Sequence, residues 1–258
     1  MPASTIDGLS VNHETTGAGP AVVLLHGWGG CIASMGPLAN ALRDEYTVVS
    51  VDLPGFGASA QPAETWGSAD YARCIAVLLR ELGHERVLAV VGHSFGGKVA
   101  LHLALQEPGA VGSLVLVGTP AVRLPLSPKV RRRIARVKFA KKLAKRLPGP
   151  LRAAVDRRMA RLGSDDYRAA GSMRDTLVRS VNEDMRDLLG GVSVPTLLVW
   201  GAADVAAPPE IGRIMESEIA GSGLVVLDGS GHFPYLDEPL KFNAVLRSFL
   251  ASMRGKGE

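Results

Sequence analysis

Residues 87–100 read Val-Leu-Ala-Val-Val-Gly-His-Ser-Phe-Gly-Gly-Lys-Val-Ala, and they restrict the possible folds more than any other part of the chain. An apolar run of strand length leads to a serine set between two glycines, then to Ala- and Leu-rich helical sequence. Gly92-His93-Ser94-Phe95-Gly96 fits Gly-x-Ser-x-Gly, the form of a nucleophile elbow at a sharp strand-to-helix turn. Such a turn strains the serine backbone, and a Cβ on Gly92 or Gly96 would collide with the adjoining strand and helix. The strain leaves Oγ exposed at a helix N-terminus, where free N–H groups and the helix dipole favour negative charge.

The chain around this stretch is ordinary in bulk. Its 258 residues, 47% hydrophobic and 21% charged, suit one α/β domain carrying an insertion. Met1-Pro2-Ala3-Ser4-Thr5-Ile6-Asp7 has neither the basic nor the apolar segment of a signal peptide. No apolar run approaches the ~18 residues of a membrane helix. Cys31 and Cys74 make no disulfide framework and have no metal-ligand spacing. A cytoplasmic protein is the expectation.

Weak alternation over 9–15 predicts an edge strand, closed by the turn Gly17-Ala18-Gly19-Pro20. Residues 21–25 and 46–51 read as strands buried on both faces. The first opens into His26-Gly27-Trp28-Gly29-Gly30, the second into Asp52-Leu53-Pro54-Gly55-Phe56-Gly57-Ala58-Ser59. Helices are predicted over 35–44, 68–82, from the elbow to 106, over 209–219 and over 240–253. Further strands are predicted at 114–117, 196–200 and 224–227. From 121 to 190 no strand signal interrupts a helical, polar segment. Strands alternating with helices imply a mainly parallel, doubly wound sheet, with a core of 1–120 and 191–258 and a helical insert of 121–190. In such sheets ligands sit beyond the carboxyl ends of the strands, where each of these loops falls.

A serine hydroxyl needs a base, an orienter for the base and donors for an oxyanion. Among six histidines, His232 lies in Gly229-Ser230-Gly231-His232-Phe233-Pro234, a loop after the last strand. His13, His84 and His102 read as structural, His93 as pointing away from Ser94, and His26 as a brace for its own loop. Asp204, in Trp200-Gly201-Ala202-Ala203-Asp204, reads either as a helix cap or as the orienter. Gly118-Thr119-Pro120-Ala121, the competing strand end, carries no acid, which favours Asp204 as orienter. The chain order Ser94, Asp204, His232 suits this architecture. Backbone N–H groups of Trp28 and Phe95 are the expected oxyanion donors, with Gly27, Gly92 and Gly96 as structural support.

These motifs together resemble the α/β-hydrolases over nearly the whole chain. His-Gly-Trp-Gly at 26–29, the Asp-Leu-Pro-Gly-Phe-Gly segment from 52, Gly-His-Ser-Phe-Gly-Gly at 92–97, Gly-x-x-Asp at 201–204 and Gly-His-Phe at 231–233 occur in order. Serine at 94 places the resemblance in the serine-nucleophile branch, away from epoxide hydrolases and haloalkane dehalogenases, which use a carboxylate. Within that branch the first two motifs are similar to the carrier-protein methyl esterase of biotin synthesis. The resemblance implies cleavage of carboxylic esters through an acyl-enzyme, without cofactor or metal. Thioester, amide, C–C bond and peroxyacid chemistry run on the same triad, and a binding protein that kept the fold is the alternative of another class.

The resemblance also makes 121–190 a cap, or lid. From 121 to 163 there are 15 Lys and Arg against one acid, Asp156. The remainder holds 14 basic and 24 acidic residues, so the pI of 9.2 comes from one segment. Val130, Ile134, Val137, Leu143 and Leu147 form the apolar face of a helix in this segment. Its cations read as a solvated face, or as a docking site for an acidic carrier protein or an anionic membrane surface. Nucleic acid is not supported by any motif. If the cations steer a carrier, raising the ionic strength slows hydrolysis of a carrier-bound ester and leaves a small neutral ester unchanged. Equal salt effects on both would remove the steering.

Overall fold

The fold was read from a computed structural model, which describes residues 3–125 and 169–255, with 132, 136, 139 and 167 between them. Among the described residues one sheet has eight strands: β1 (Ala3–Ile6), β2 (Leu9–Thr16), β3 (Ala21–Leu25), β4 (Thr47–Val51), β5 (Ala89–His93), β6 (Leu114–Val117), β7 (Thr196–Gly201) and β8 (Ser222–Leu227). Their order is β1-β2-β4-β3-β5-β6-β7-β8. β2 is antiparallel to β1 and β4, and every other pair is parallel. The α-helices with both ends among the described residues are α1 (Ile32–Leu42), α2 (Ser68–Glu81), α3 (Phe95–Gln106), α4 (Arg174–Asn182), α5 (Arg186–Leu189), α6 (Pro209–Glu218), α7 (Pro234–Asp237) and α8 (Pro239–Arg254).

Every residue of β3, β5, β6 and β7 is buried, which accounts for their unbroken apolar runs. On one face Val22, Leu24, Val48, Ala89, Val91, Val115 and Val117 pack with Met35, Leu38 and Leu42 of α1 and Phe242, Leu246 and Leu250 of α8. Two-residue spacing in the strands and three- or four-residue spacing in the helices brings these side chains to one layer. Each of the larger side chains contributes about 1.5–3 kcal/mol on burial. α2 and α3 pack together, and α3 lies on β3, β5 and β6.

The sheet differs from expectation at its first edge. The strand predicted at 9–15 is not an edge strand, because β1 pairs outside it. Asp7 and Gly8 have φ of 48° and 82°, and Ile6 pairs with Leu9. This is a two-residue hairpin turn with both central residues at positive φ, for which Asp-Gly is the usual sequence. The signal was present and too short to be read as a strand pair. His13 is consequently buried, with its Nε2 3.3 Å from Ser4 Oγ. α1 begins at Ile32, ahead of the predicted 35, and carries Pro37 within it.

Packing divides the chain into a larger unit, Met1–Arg123 with Val178–Glu258, and a smaller one, Leu124–Leu177. Residues 121–123 and 178–190, read with the insert, fall in the larger unit. In the smaller one Arg132, Arg136 and Phe139 are helical and exposed, and the Arg174 guanidinium lies 4.9 Å over the Tyr167 ring. Val130, Ile134, Val137, Leu143 and Leu147, and most of the cations around them, lie outside the described residues.

In the larger unit the end of α4 is fastened to the elbow helix. Lys98 is buried on α3 and donates from Nζ to the carbonyls of Ser180 (2.7 Å) and Glu183 (3.2 Å). Burial pushes its pKa down to about 8, against the opposing charges of Glu183 and Asp184. Burial alone would raise the Glu183 carboxyl. Hydrogen bonds from His102 and Ser68, and the Lys98 charge, outweigh it and hold the carboxyl below its ordinary value. The segment around Glu183 had no reading in the sequence, since its partners lie on two distant helices.

Gly96 and Gly36 should respond oppositely to alanine. A Cβ on Gly96 would run into the carbonyls of Leu25 and His26, whereas one on Gly36 meets nothing within 4 Å. Gly96→Ala is expected to lower the unfolding free energy by about 3 kcal/mol. Gly36→Ala, inside α1, should raise it by about 0.5–1 kcal/mol. Denaturant titration of both variants measures this.

Candidate active site

The elbow is strained where the sequence places it. Ser94, between β5 and α3, has φ 50° and ψ −111°, a region that non-glycine residues avoid. Close packing holds it there: a Cβ on Gly92 would meet the Gly96 carbonyl and the Gly97 backbone. Ser94 is half-buried between fully buried neighbours. Phe95 opens α3, so its N–H is one of the first-turn donors that a helix leaves unsatisfied.

His26-Gly27-Trp28 follows β3, the immediate neighbour of β5. The His26 Nδ1–H donates to the Gly27 carbonyl (2.7 Å), and the Leu53 N–H donates to His26 Nε2 (3.0 Å). Both ring nitrogens are thus used in the neutral form, and burial lowers the pKa. Gly27 lies against the elbow, since a Cβ there would come within 3.3 Å of Ser94 Cβ. The Trp28 and Phe95 rings meet edge-on with centroids 5.6 Å apart, and Phe56 packs 4.9 Å from Trp28. The two expected donor residues are therefore neighbours.

Asp52 secures this loop. Its buried carboxylate accepts from the Asn12 side-chain amide (2.8 Å), the Ile32 N–H (2.6 Å) and the Ala58 N–H (2.8 Å). One side chain at the end of β4 thereby ties β2, the start of α1 and the 53–60 loop together. The sequence showed Asp52 within a motif but gave it no task.

Asp204 and His232 come together across the ends of β7 and β8. The His232 Nδ1–H donates to Asp204 Oδ2 at 2.7 Å. The other oxygen, Oδ1, accepts from the N–H groups of Ala206 and Ala207, both at 2.9 Å. The helix-cap reading of Asp204 does not hold, because Pro208 is the N-cap of α6 and no side chain caps it. One Asp204 oxygen instead closes the turn ahead of the helix, and the other holds the imidazole. With Nδ1 as donor, Nε2 is the basic nitrogen. Gly118, at the end of β6, makes room for the pair: it has φ 51°, and a Cβ would sit 3.1 Å from Asp204 Oδ2 and 3.2 Å from His232 Nδ1. That strand end was noted only for lacking an acid.

The sequence predicts that His93 faces away from Ser94 and assigns it no partner. Its Nε2–H donates to the His232 carbonyl at 2.9 Å, and its ring lies 4.8 Å from the His232 ring. Burial, with the neighbouring His232 adding to it, pushes the His93 pKa down to about 4. No sequence signal announces this contact, which spans 139 residues.

Comparison with known proteins agrees with this architecture. Residues 20–239 match the alpha/beta hydrolase fold family. An uncharacterised protein of Mycobacterium tuberculosis is 30% identical over 95% of this chain and 80% of its own. The pimeloyl-[acyl-carrier protein] methyl ester esterase of Aeromonas hydrophila is 31% identical over 94% of this chain and all of its own. Among solved structures, an esterase from Exiguobacterium antarcticum superposes with a TM-score of 0.75 at 27% identity, covering 96% of this chain and 98% of its own. The chain belongs to the α/β-hydrolase fold family.

Holding His93 neutral has a cost in acid. An unfolded imidazole, at 6.5, takes up a proton before the folded one at about 4 does. The unfolded chain binds more protons between those values, so stability is full above pH 6.5 and falls as the pH drops toward 4. The loss is about 3 kcal/mol. Denaturant titration from pH 7 to 4 should show it as the difference between the wild type and His93→Gln.

Proposed function

We propose that this hydrolase cleaves carboxylic esters through an acyl-enzyme formed on Ser94. The esterase relative and the esterase fold support an enzyme acting on ester bonds. The observation that carries the mechanism is the 2.7 Å bond from His232 to Asp204, beyond the carboxyl ends of β7 and β8, parallel strands of the sheet in which β5 ends at the strained serine. Ser94 Oγ attacks the ester carbonyl while His232 Nε2 takes its proton. Asp204 keeps the proton on Nδ1 and stabilises the imidazolium as it forms. The N–H groups of Trp28 and Phe95 stabilise the oxyanion. His232 returns the proton to the departing alcohol, then activates the water that releases the acid.

The substrate is a small ester, and a carrier-bound acyl ester fits best. A relative at 31% identity is named for that activity, and the basic segment from 121 to 163 would attract an acidic carrier protein or an anionic membrane surface. A cytoplasmic location belongs to the same reading. Among the described residues no helix is long and apolar enough to cross a membrane.

Two variants test the roles. Ser94→Ala should lower kcat on a chromogenic ester by on the order of 10⁶-fold. Asp204→Asn should lower it by about 10⁴-fold with the fold intact. An amide at 204 still accepts from Ala206 and Ala207, but it presents an NH₂ to His232 and forces the proton onto Nε2. Substantial turnover by a folded Ser94→Ala protein would sink the mechanism.

A further inference from the structure

We propose that His93 is a positioning residue for the base: it holds the His232 backbone in register with both the nucleophile strand and the oxyanion loop. The inference rests on the triad reading above.

Three observations meet at this one ring. His93 ends β5, immediately before Ser94, and two-residue alternation puts it on the face of Ala89 and Val91, which pack in the core with α1 and α8. Its Nε2–H donates to the His232 carbonyl at 2.9 Å, while the ring packs against His232 and Phe233, each 4.8 Å away, and Tyr235 at 5.4 Å. Its Nδ1 edge lies against Gly27, where a Cβ would come within 2.7 Å. A single buried side chain thus touches the nucleophile strand, the oxyanion loop and the base loop.

The base loop has other anchors, and they lie around His232 rather than on it. The Gly231 N–H donates to the Asp237 carboxylate, and the Ser230 carbonyl accepts from Ala203. Phe233 is tied into α7 through its own carbonyl. Asp204 fixes the His232 imidazole through Nδ1, and His93 fixes its main chain. Together they leave the imidazole little freedom of rotation, and Nε2 stays directed at one place.

Donation is also what keeps this contact compatible with the reaction. A carbonyl only accepts, so the proton must reside on Nε2 of His93, and the ring is neutral with a bare Nδ1. The titratable groups facing it are His232, Asp204 and His26. When His232 becomes imidazolium, a second cation 4.8 Å away would oppose it. Burial keeps His93 unprotonated, so the support carries no charge.

The test uses the full chain with His93→Leu and His93→Gln. Leucine fills the site without a donor. Glutamine places an N–H near the original Nε2. His93→Leu should lower kcat by about 10- to 100-fold and leave KM within about twofold, since substrate contacts are untouched. His93→Gln should recover kcat to within about threefold of wild type. Equal losses in the two variants, or an unchanged kcat in His93→Leu, would overturn the proposal. A measurement on unmutated protein guards against misfolding: ¹⁵N-histidine NMR should show His93 as the neutral Nε2–H tautomer from pH 5 to 8. A proton on Nδ1, or a titration midpoint near 6.5, contradicts it. Ser94→Ala assayed alongside separates the two failures, because turnover without Ser94 refutes the triad while the NMR result stands by itself.

Discussion

The close approach of α3 to β3 at Gly96 is the constraint on which the rest of the site depends. The helix backbone there presses on the carbonyls of Leu25 and His26. That contact allows the chain to turn within one residue, and Ser94 takes the strained conformation the turn demands. The same contact sets the 26–30 loop beside the elbow, because that loop begins at His26. Strain at a single serine is tolerable because fully buried central strands on one side and a packed helix on the other leave the backbone no alternative. The functional geometry is thus a consequence of core packing rather than of a few polar contacts laid over it.

The polar contacts have a different task, which is to hold loops that the core does not reach. Asp52 gathers three donors and ties β2, the start of α1 and the 53–60 loop together. Asp204 divides its two oxygens between a turn and an imidazole. His26 and His93 are buried and neutral, each using ring nitrogens to bridge segments far apart in sequence. Neutral imidazoles suit this place, since they supply directional bonds without burying a charge.

Legibility in the sequence followed the range of the interaction. Strands such as residues 21–25 and 196–200 could be read because burial on both faces leaves an unbroken apolar run. The elbow could be read because its glycines are needed for a local steric reason. Ser94, Asp204 and His232 were found as types in loops at strand ends, and the structure places Asp204 and His232 within hydrogen-bonding distance. What escaped was long-range: the His93 bond, the Lys98–Glu183 cluster, and the room that Gly118 makes for the Asp204–His232 pair. None has a local pattern, since each depends on which strand lies beside which. The missed strand β1 is the opposite case, a local signal in Asp7-Gly8 whose flanking strand is only four residues long.

The central claim is a covalent intermediate on Ser94. Rapid-quench mass spectrometry during turnover of an activated ester tests it most directly. The account predicts a mass increase equal to the acyl group, confined to the peptide that contains Ser94. Steady turnover with no acylated protein under conditions where deacylation limits the rate, or acylation on another residue, would contradict it.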